Sequence, residues 1–225
     1  MLRWFGYLAG LALVGALVVV GGVLWVFWEF GRDLPDHSQL ADYQPPVTTR
    51  VHAGDGSLLA EYAVQRRIFV PVSTMPNLVK EAFLSAEDKN FYKHPGVDVT
   101  GVMRAVVSNV RNLGSGRRPE GASTITQQVA QNFLLTKEVS LDRKVREAIL
   151  SFRMERAFSK DEILELYLNE IYLGFGAYGV ASAALNYFGK PLDQLTVDEA
   201  AFLAALPKAP NNYNPLRKNA AAVAR

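Results

Sequence analysis

Glu87 and Asp88 stand side by side at the end of a run in which Leu78, Val79, Ala82 and Phe83 recur at helical spacing. Carboxylates favour helix starts, because the carbonyls at a helix C-terminus repel them. An acidic pair set against that preference is either a solvated surface pair or a carboxylate in a cleft. In the second case burial and the acidic neighbour raise its pKa, and it serves as a general base. Phe91, His94, Pro95 and Gly96 follow: an aromatic anchor, a titratable ring and turn residues. A second constellation lies in residues 121–135, GASTITQQVAQNFLL, where Ser123 and Thr124 offer a cap and a helix follows. Gln127 and Gln131 are four apart, as are Gln128 and Asn132, so two amide rows share one face. A solvated face is more commonly built from Lys and Glu, whereas amides suit sugar hydroxyl and acetamido groups. The third constellation is RKVRE, residues 143–147, which puts Arg143, Lys144 and Glu147 on one helical face. That is either a salt-bridged surface or a cationic grip on phosphate oxygens with a second carboxylate beside it.

The 225 residues are 49% hydrophobic and 20% charged, enough for one substantial core plus an appendage. The net charge of +2 gives no field of the kind that nucleic acid requires. Absence of cysteine excludes disulfides and thiolate metal sites. His37, His52 and His94 are scattered, with no HExxH spacing, which argues against a zinc enzyme.

The elements that must position these groups begin with residues 5–28, which carry no charge. As a helix they span about 36 Å, against about 30 Å of hydrocarbon. Trp4, Tyr7, Trp25 and Trp28 sit near its ends, as interfacial aromatics do. The run is too long for a cleaved signal peptide. Arg3 precedes it and Glu29, Arg32, Asp33 and Asp36 follow, so the positive-inside rule puts the N-terminus in the cytoplasm and the bulk of the chain outside. Residues 31–46 read as a proline-bearing linker. Residues 47–75 read as a small antiparallel ribbon with a turn at Gly54–Gly56 and strands over 58–62 and 68–72. From Pro76 onward helices dominate. Thr100 is placed to cap a helix carrying Val102, Ala105, Val106, Val110 and Leu113 on one face. Core packing is the expected fate of that face, with a membrane surface or a groove as alternatives. Residues 114–121 form a flexible basic loop, Ser159 with Glu162 and Thr196 with Glu199 form capping boxes, and glycines at 174, 176 and 179 allow close backbone approach. Residues 216–225 look like the start of a truncated linker or helix.

Five motifs, in order, resemble the family 51 glycosyltransferases, the peptidoglycan polymerases: EDKNFYKHPG (87–96), GASTITQQ (121–128), RKVRE (143–147), YLNEIYLGFGAYGVASAA (167–184) and EAAFLAALPKAP (199–210). The ribbon around GDGSLLAEY resembles class A penicillin-binding proteins. The resemblance implies a mainly α, lysozyme-like, two-lobed glycosyltransferase domain over 76–215, with a membrane-proximal jaw at about 97–120 and one transmembrane helix in front. It implies lipid II and the growing glycan strand as substrates, and an inner-membrane protein with its catalytic domain on the periplasmic or extracellular side. It further implies a transpeptidase domain in a longer parent chain and cell wall or division proteins as partners.

By motif position the resemblance makes Glu87 the base that activates the acceptor hydroxyl, with inversion at the anomeric carbon and release of undecaprenyl pyrophosphate. Glu147 takes a supporting catalytic role near the pyrophosphate, as metal ligand or electrostatic organiser, with magnesium or manganese as the candidate cofactor. Arg143, Lys144 and Arg146 neutralise the leaving group. Asp88, His94, Ser123, Thr124, Gln127, Gln128 and Asn132 complete the binding set. Asn169, also assigned to it, is expected to brace the cleft rather than react. Two departures are Ala122 where many relatives have glycine and Gln131 where many have a cation, which transfers the phosphate grip to other residues such as Lys137 or Arg117 and Arg118. The alternatives are a lysozyme-like muramidase and a non-catalytic, membrane-anchored glycan-binding scaffold.

Overall fold

The computed structural model describes residues 2–32, 34, 49–55, 57–62, 66–113, 121–134, 140–208 and 210. The expected basic loop over 114–120, Lys137, most of the linker and the chain end after 210 lie outside the described residues. Helix α1 (Leu2–Gly31) is apolar along its length, and Leu13–Gly31 is long and apolar enough to cross a membrane. Strands β1 (Thr49–His52) and β2 (Leu58–Tyr62) pair antiparallel, as expected, with a register irregularity between Val51 and His52. Asp55 ties the turn by accepting from the Ser57 N–H at 2.9 Å and its hydroxyl at 2.7 Å.

The expected strand over 68–72 is absent. A two-residue strand, β3 (Arg66–Arg67), pairs parallel with β4 (Ala177–Tyr178), and the segment after it is held by side chains. The Asn169 amide donates to the Val70 carbonyl at 2.9 Å and accepts from the Val70 N–H at 2.8 Å. Glu165 accepts from the Val72 N–H at 2.7 Å. Two side chains thus replace a neighbouring strand, and no local pattern reveals that.

Among the described residues seven further helices form the body: α2 (Asn77–Glu87), α3 (Val99–Arg111), α4 (Ile125–Leu134), α5 (Leu141–Ala157), α6 (Lys160–Glu170), α7 (Val180–Phe188) and α8 (Val197–Ala205). Single 3-10 turns lie at Phe91–Lys93 and Leu192–Gln194. Helix α6 is central: Ile163, Leu164, Tyr167 and Leu168 are buried, with the Phe83 ring edge-on to Tyr167 at 6.3 Å. Helix α2 packs on α8, and α4 lies against both α5 and α6. Both expected capping boxes are present, Ser159 with Glu162 and Thr196 with Glu199.

Helix α3 departs from expectation twice. Its N-cap is Asp98, which accepts from the Gly101 N–H at 2.9 Å, while Thr100 supports Asp98 through its hydroxyl. Its large apolar residues face outward: Val106 is 56% exposed, Val110 60% and Leu113 78%, while Gly101 and Ala105 are buried. The buried positions of this helix are its small ones, and at Gly101 a Cβ would stand 2.7 Å from the capping carboxylate of Asp98. The larger ones are left to solvent or to a membrane. The described body is mainly helical with a small ribbon, as the sequence implied.

Candidate active site

Helix α2 ends at Glu87, and Asp88 caps it by returning its N–H to the Leu84 carbonyl at 2.9 Å. The two neighbouring carboxylates part there. Asp88 turns inward, buried, with both oxygens 3.0 Å from His94 Nε2. It also accepts from the Ile125 N–H at 3.0 Å, so an anionic group sits at the N-terminus of α4, where the helix dipole favours it. The Gly96 N–H donates to His94 Nδ1 at 3.2 Å, which leaves the Nε2–H to donate to Asp88. The Thr124 hydroxyl donates to the Gly96 carbonyl at 2.5 Å. Gly96 has φ +98°, and a Cβ there would stand 2.8 Å from the Ser151 carbonyl oxygen, so only glycine lets the loop close onto α5. Asp88, His94, Gly96 and Thr124 therefore stitch the loop after α2 to the start of α4.

Glu87 remains at the surface of the cleft, half-buried, and Gln128 Nε2 donates to its Oε2 at 3.0 Å. In front of it is a cavity of about 130 Å³ lined from one side by residues 85–90, from another by Asp98, Gly101 and Arg104, and from the third by residues 121–124. Asp98 is held well below the usual carboxylate range, first by the Thr100 hydroxyl, then by the Gly101 N–H and the Asn90 amide. It stays ionised on the cavity wall.

On α5, Glu147 is fully buried, its carboxylate between two cations. Lys144 Nζ is 2.6 Å from Oε2 and donates at 2.7 Å to the Ser123 hydroxyl. Arg143 Nε stands 3.0 Å from Oε1, outside hydrogen-bond geometry, so that contact is Coulombic. A buried carboxylate persists only when it is paired in this way. Lys144 is 46% exposed and is the solvent-facing end of the cluster. The strand of residues from Ser123 to Gln128 thereby touches both acids, Glu147 through Lys144 and Glu87 through Gln128.

The family model described as Transglycosylase matches residues 55–225 of this chain. The chain belongs to the transglycosylase family. Penicillin-binding protein 1A of Rickettsia felis is 55% identical over 217 residues, 96% of this chain and 28% of its own length. Penicillin-binding protein 1A of Escherichia coli K12 is 45% identical over 224 residues, 100% of this chain and 26% of its own. The chain spans about a quarter of the length of these curated relatives. A 2.6 Å crystal structure of penicillin-binding protein 1A from Haemophilus influenzae aligns at 28% identity over 80% of this chain and 17% of that one, with a TM-score of 0.39.

The transglycosylase match begins inside the ribbon, at Asp55, and takes in both carboxylates and all the polar residues between them. Not all of those residues are free to meet a substrate. Gln127 is buried, accepting from the Thr124 N–H at 3.0 Å while its own N–H donates to the Thr124 hydroxyl at 3.2 Å. This is a capping box, which gives Gln127 and Thr124 a structural use, and Thr124 also lines the cavity. Asp88 and His94 satisfy each other, and Asp88 also lines the cavity. The Asn169 amide, besides holding Val70, donates to the Glu165 carbonyl at 2.9 Å. Glu87 and Ser123 line the cavity, Gln128 bonds to Glu87, and Lys144, beside Arg143 at Glu147, bonds to Ser123. Asn132 is exposed, Gln131 half-buried, and Arg146 half-buried and outside the Glu147 pair. Lys89, Asp98 and Arg104 line the cavity and were not singled out from the sequence. A basic residue interrupting the apolar rows of α3 was the available signal for Arg104.

Proposed function

We propose that this transglycosylase chain polymerises lipid II into β-1,4-linked glycan, with Glu87 as the general base. The reading is carried by one observation: the N-terminal turn of α4 connects the half-buried Glu87 to the cationic Lys144–Glu147 cluster. Base and leaving-group cations then flank one cleft. Glu87 takes the proton of the acceptor's GlcNAc 4-hydroxyl, and Gln128, donating to Oε2, fixes the carboxylate and leaves the other oxygen for the proton. The hydroxyl oxygen attacks the anomeric carbon of the growing chain's MurNAc from the face opposite the lipid pyrophosphate. The carbon–oxygen bond to phosphate breaks with its electron pair, and the α linkage becomes β. A positioned base contributes about 10²–10⁴ in rate.

Pyrophosphate needs neutralisation more than protonation. Lys144 supports that role: half-exposed, its ammonium exchanges the Ser123 hydroxyl for a phosphate oxygen while keeping its contact with Glu147. Arg143 holds the other oxygen of Glu147. A magnesium or manganese ion fits this cluster poorly, because both Glu147 oxygens face cations and no group of three acidic or histidine side chains gathers among the described residues. No step is routed through a metal.

The apolar α1 and the outward apolar face of α3 support a single-pass membrane protein whose cleft opens near the bilayer, with the N-terminus in the cytoplasm. In the longer parent chain a transpeptidase domain would cross-link the strands made here, with division or cell wall proteins as partners.

The test is incubation of the detergent-solubilised chain with labelled lipid II, wild type beside Glu87→Gln, and separation of products by size. A ladder from the wild type that Glu87→Gln lowers by about 10²–10⁴ is expected. Muropeptides released from finished wall would instead mean a hydrolase. Bound but unconverted lipid II would mean a scaffold.

A further inference from the structure

Between the loop that carries His94 and α5 lies an open groove of about 550 Å³, of the size that small-ligand sites take, whose lining shares no residue with the cavity at Glu87. Its walls are apolar: Phe152, Pro95 and the ring of Tyr92. Lys93 and Arg156 line it, both exposed, with no ion pair among the described residues. The one carboxylate in the lining, Glu155, is already matched by Lys160 at 2.7 Å and the Thr126 hydroxyl at 2.6 Å. At the rim, Asp161 accepts from the Tyr92 hydroxyl at 2.9 Å. Burial first and Asp161 second push that phenol up to about 12, so it adds no negative charge.

The position of the groove decides what the two cations are for. Phe152 lines it and also packs on Phe27 of α1, ring centres 6.4 Å apart. Phe27 lies at the end of the uncharged run, just before Glu29 and Arg32. The headgroup layer is about 5–7 Å deep on each side of the hydrocarbon. The groove therefore opens one aromatic ring beyond the hydrocarbon edge, at headgroup depth, beside Arg153, whose guanidinium holds the end of α1. An apolar-walled groove at that depth, lined by two cations that have no ion pair among the described residues, matches a lipid phosphate with the top of its acyl chains beside it.

We propose that this groove binds the phosphate headgroup of an anionic glycerophospholipid of the membrane that holds α1. The proposal rests on the membrane reading of α1 and is independent of glycosyl transfer.

The full chain in neutral detergent micelles doped with equal phosphatidylglycerol and phosphatidylcholine is to be examined by native mass spectrometry. One phosphatidylglycerol adduct is expected in clear preference to phosphatidylcholine. In Lys93→Gln/Arg156→Gln the preference should fall by about fivefold per cation, toward parity. Both side chains are exposed and neither belongs to the catalytic cluster, so the variant should melt as the wild type does. Equal adducts of the two lipids in the wild type, or an undiminished preference in the variant, would overturn the proposal. Displacement of the lipid by millimolar inorganic phosphate would mean a phosphate-ion site and would overturn it too. Failure of the chain to float with phosphatidylcholine vesicles would bring down the membrane reading itself, by a separate readout.

Discussion

At the scale of residues, the acidic pair that looked like one feature is two. Glu87 and Asp88 are neighbours in sequence, but the end of α2 turns one toward the cleft and the other into the body. The type and spacing of the acids identified the place, and the chain's own hydrogen-bond bookkeeping divided the roles. Glu147 shows the same dependence on partners. Its carboxylate is buried between Arg143 and Lys144, so Glu147→Gln leaves Arg143, itself largely buried, facing a neutral amide. Removing one member of a buried pair typically costs about 3–5 kcal/mol. We expect Glu147→Gln to lose stability of that order in denaturant unfolding as well as polymer yield. Lys144, half-exposed, turns to water and softens the loss. Wild-type stability combined with lost turnover would show that the carboxylate acts on the substrate and does not serve as a counter-ion.

At the scale of elements, helix existence was legible and helix roles less so. The periods of α2, α3 and α6 are plain in the sequence, as are the boxes at Ser159 and Thr196, because both signals are local. The box from Thr124 to Gln127 has the same spacing, yet Gln127 reads equally well as part of an amide face; which use wins depends on the burial of α4 against α5 and α6. The orientation of α3 was illegible for the same reason, since a strong apolar stripe does not say whether protein or lipid covers it. Two predictions belong here. In a membrane, the outward face of α3 should lie in the bilayer interface. The chain has no cysteine, so a polarity-sensitive dye on Met103→Cys reports α3 alone. Vesicles should shift its emission to the blue, and Val106→Lys/Val110→Lys should lower the membrane-bound population about tenfold. Stability should move by no more than about 0.5 kcal/mol, as both sites are exposed. An unshifted dye in the wild type would leave the face uncovered. The second prediction concerns the cap. Asp98 has its pKa depressed on folding, so its contribution is complete above the unfolded value near 3.9 and is lost as pH falls toward the folded one. Amide exchange in α3 should therefore accelerate below about pH 4. Asp98→Asn keeps a cap that does not titrate and should flatten that dependence; an identical pH profile would refute the assignment.

At the scale of the whole molecule, the apolar span was evident from its composition, but its docking was not, because the contact joins residues far apart in sequence. The Arg153 guanidinium donates to the Gly31 carbonyl at 2.9 Å, satisfying one of the carbonyls that a helix end leaves without a partner. The Phe27–Phe152 contact lies beside it. Both partners belong to α5, the helix that carries Arg143, Lys144 and Glu147. The anchor is thus fastened to the element holding the cations proposed to meet the leaving group, and under that proposal the joint sets their height above the membrane in which a lipid-linked substrate would travel. Misplacement of a reacting group by about 1 Å can cost on the order of 10²-fold in rate, so loosening this joint should be felt at the cleft. We expect Arg153→Ala to broaden the distance distribution between spin labels on Leu17→Cys in α1 and Asp193→Cys in the body, both exposed positions. Polymerisation in vesicles should fall several-fold while unfolding of the body is little changed. Arg153→Lys, which keeps a cation but loses the planar donor fork, should lie between the two. An unbroadened distribution in Arg153→Ala would mean that aromatic packing alone holds the anchor, and a broadened one with full activity would mean that the height of the cleft is set elsewhere, by the apolar face of α3.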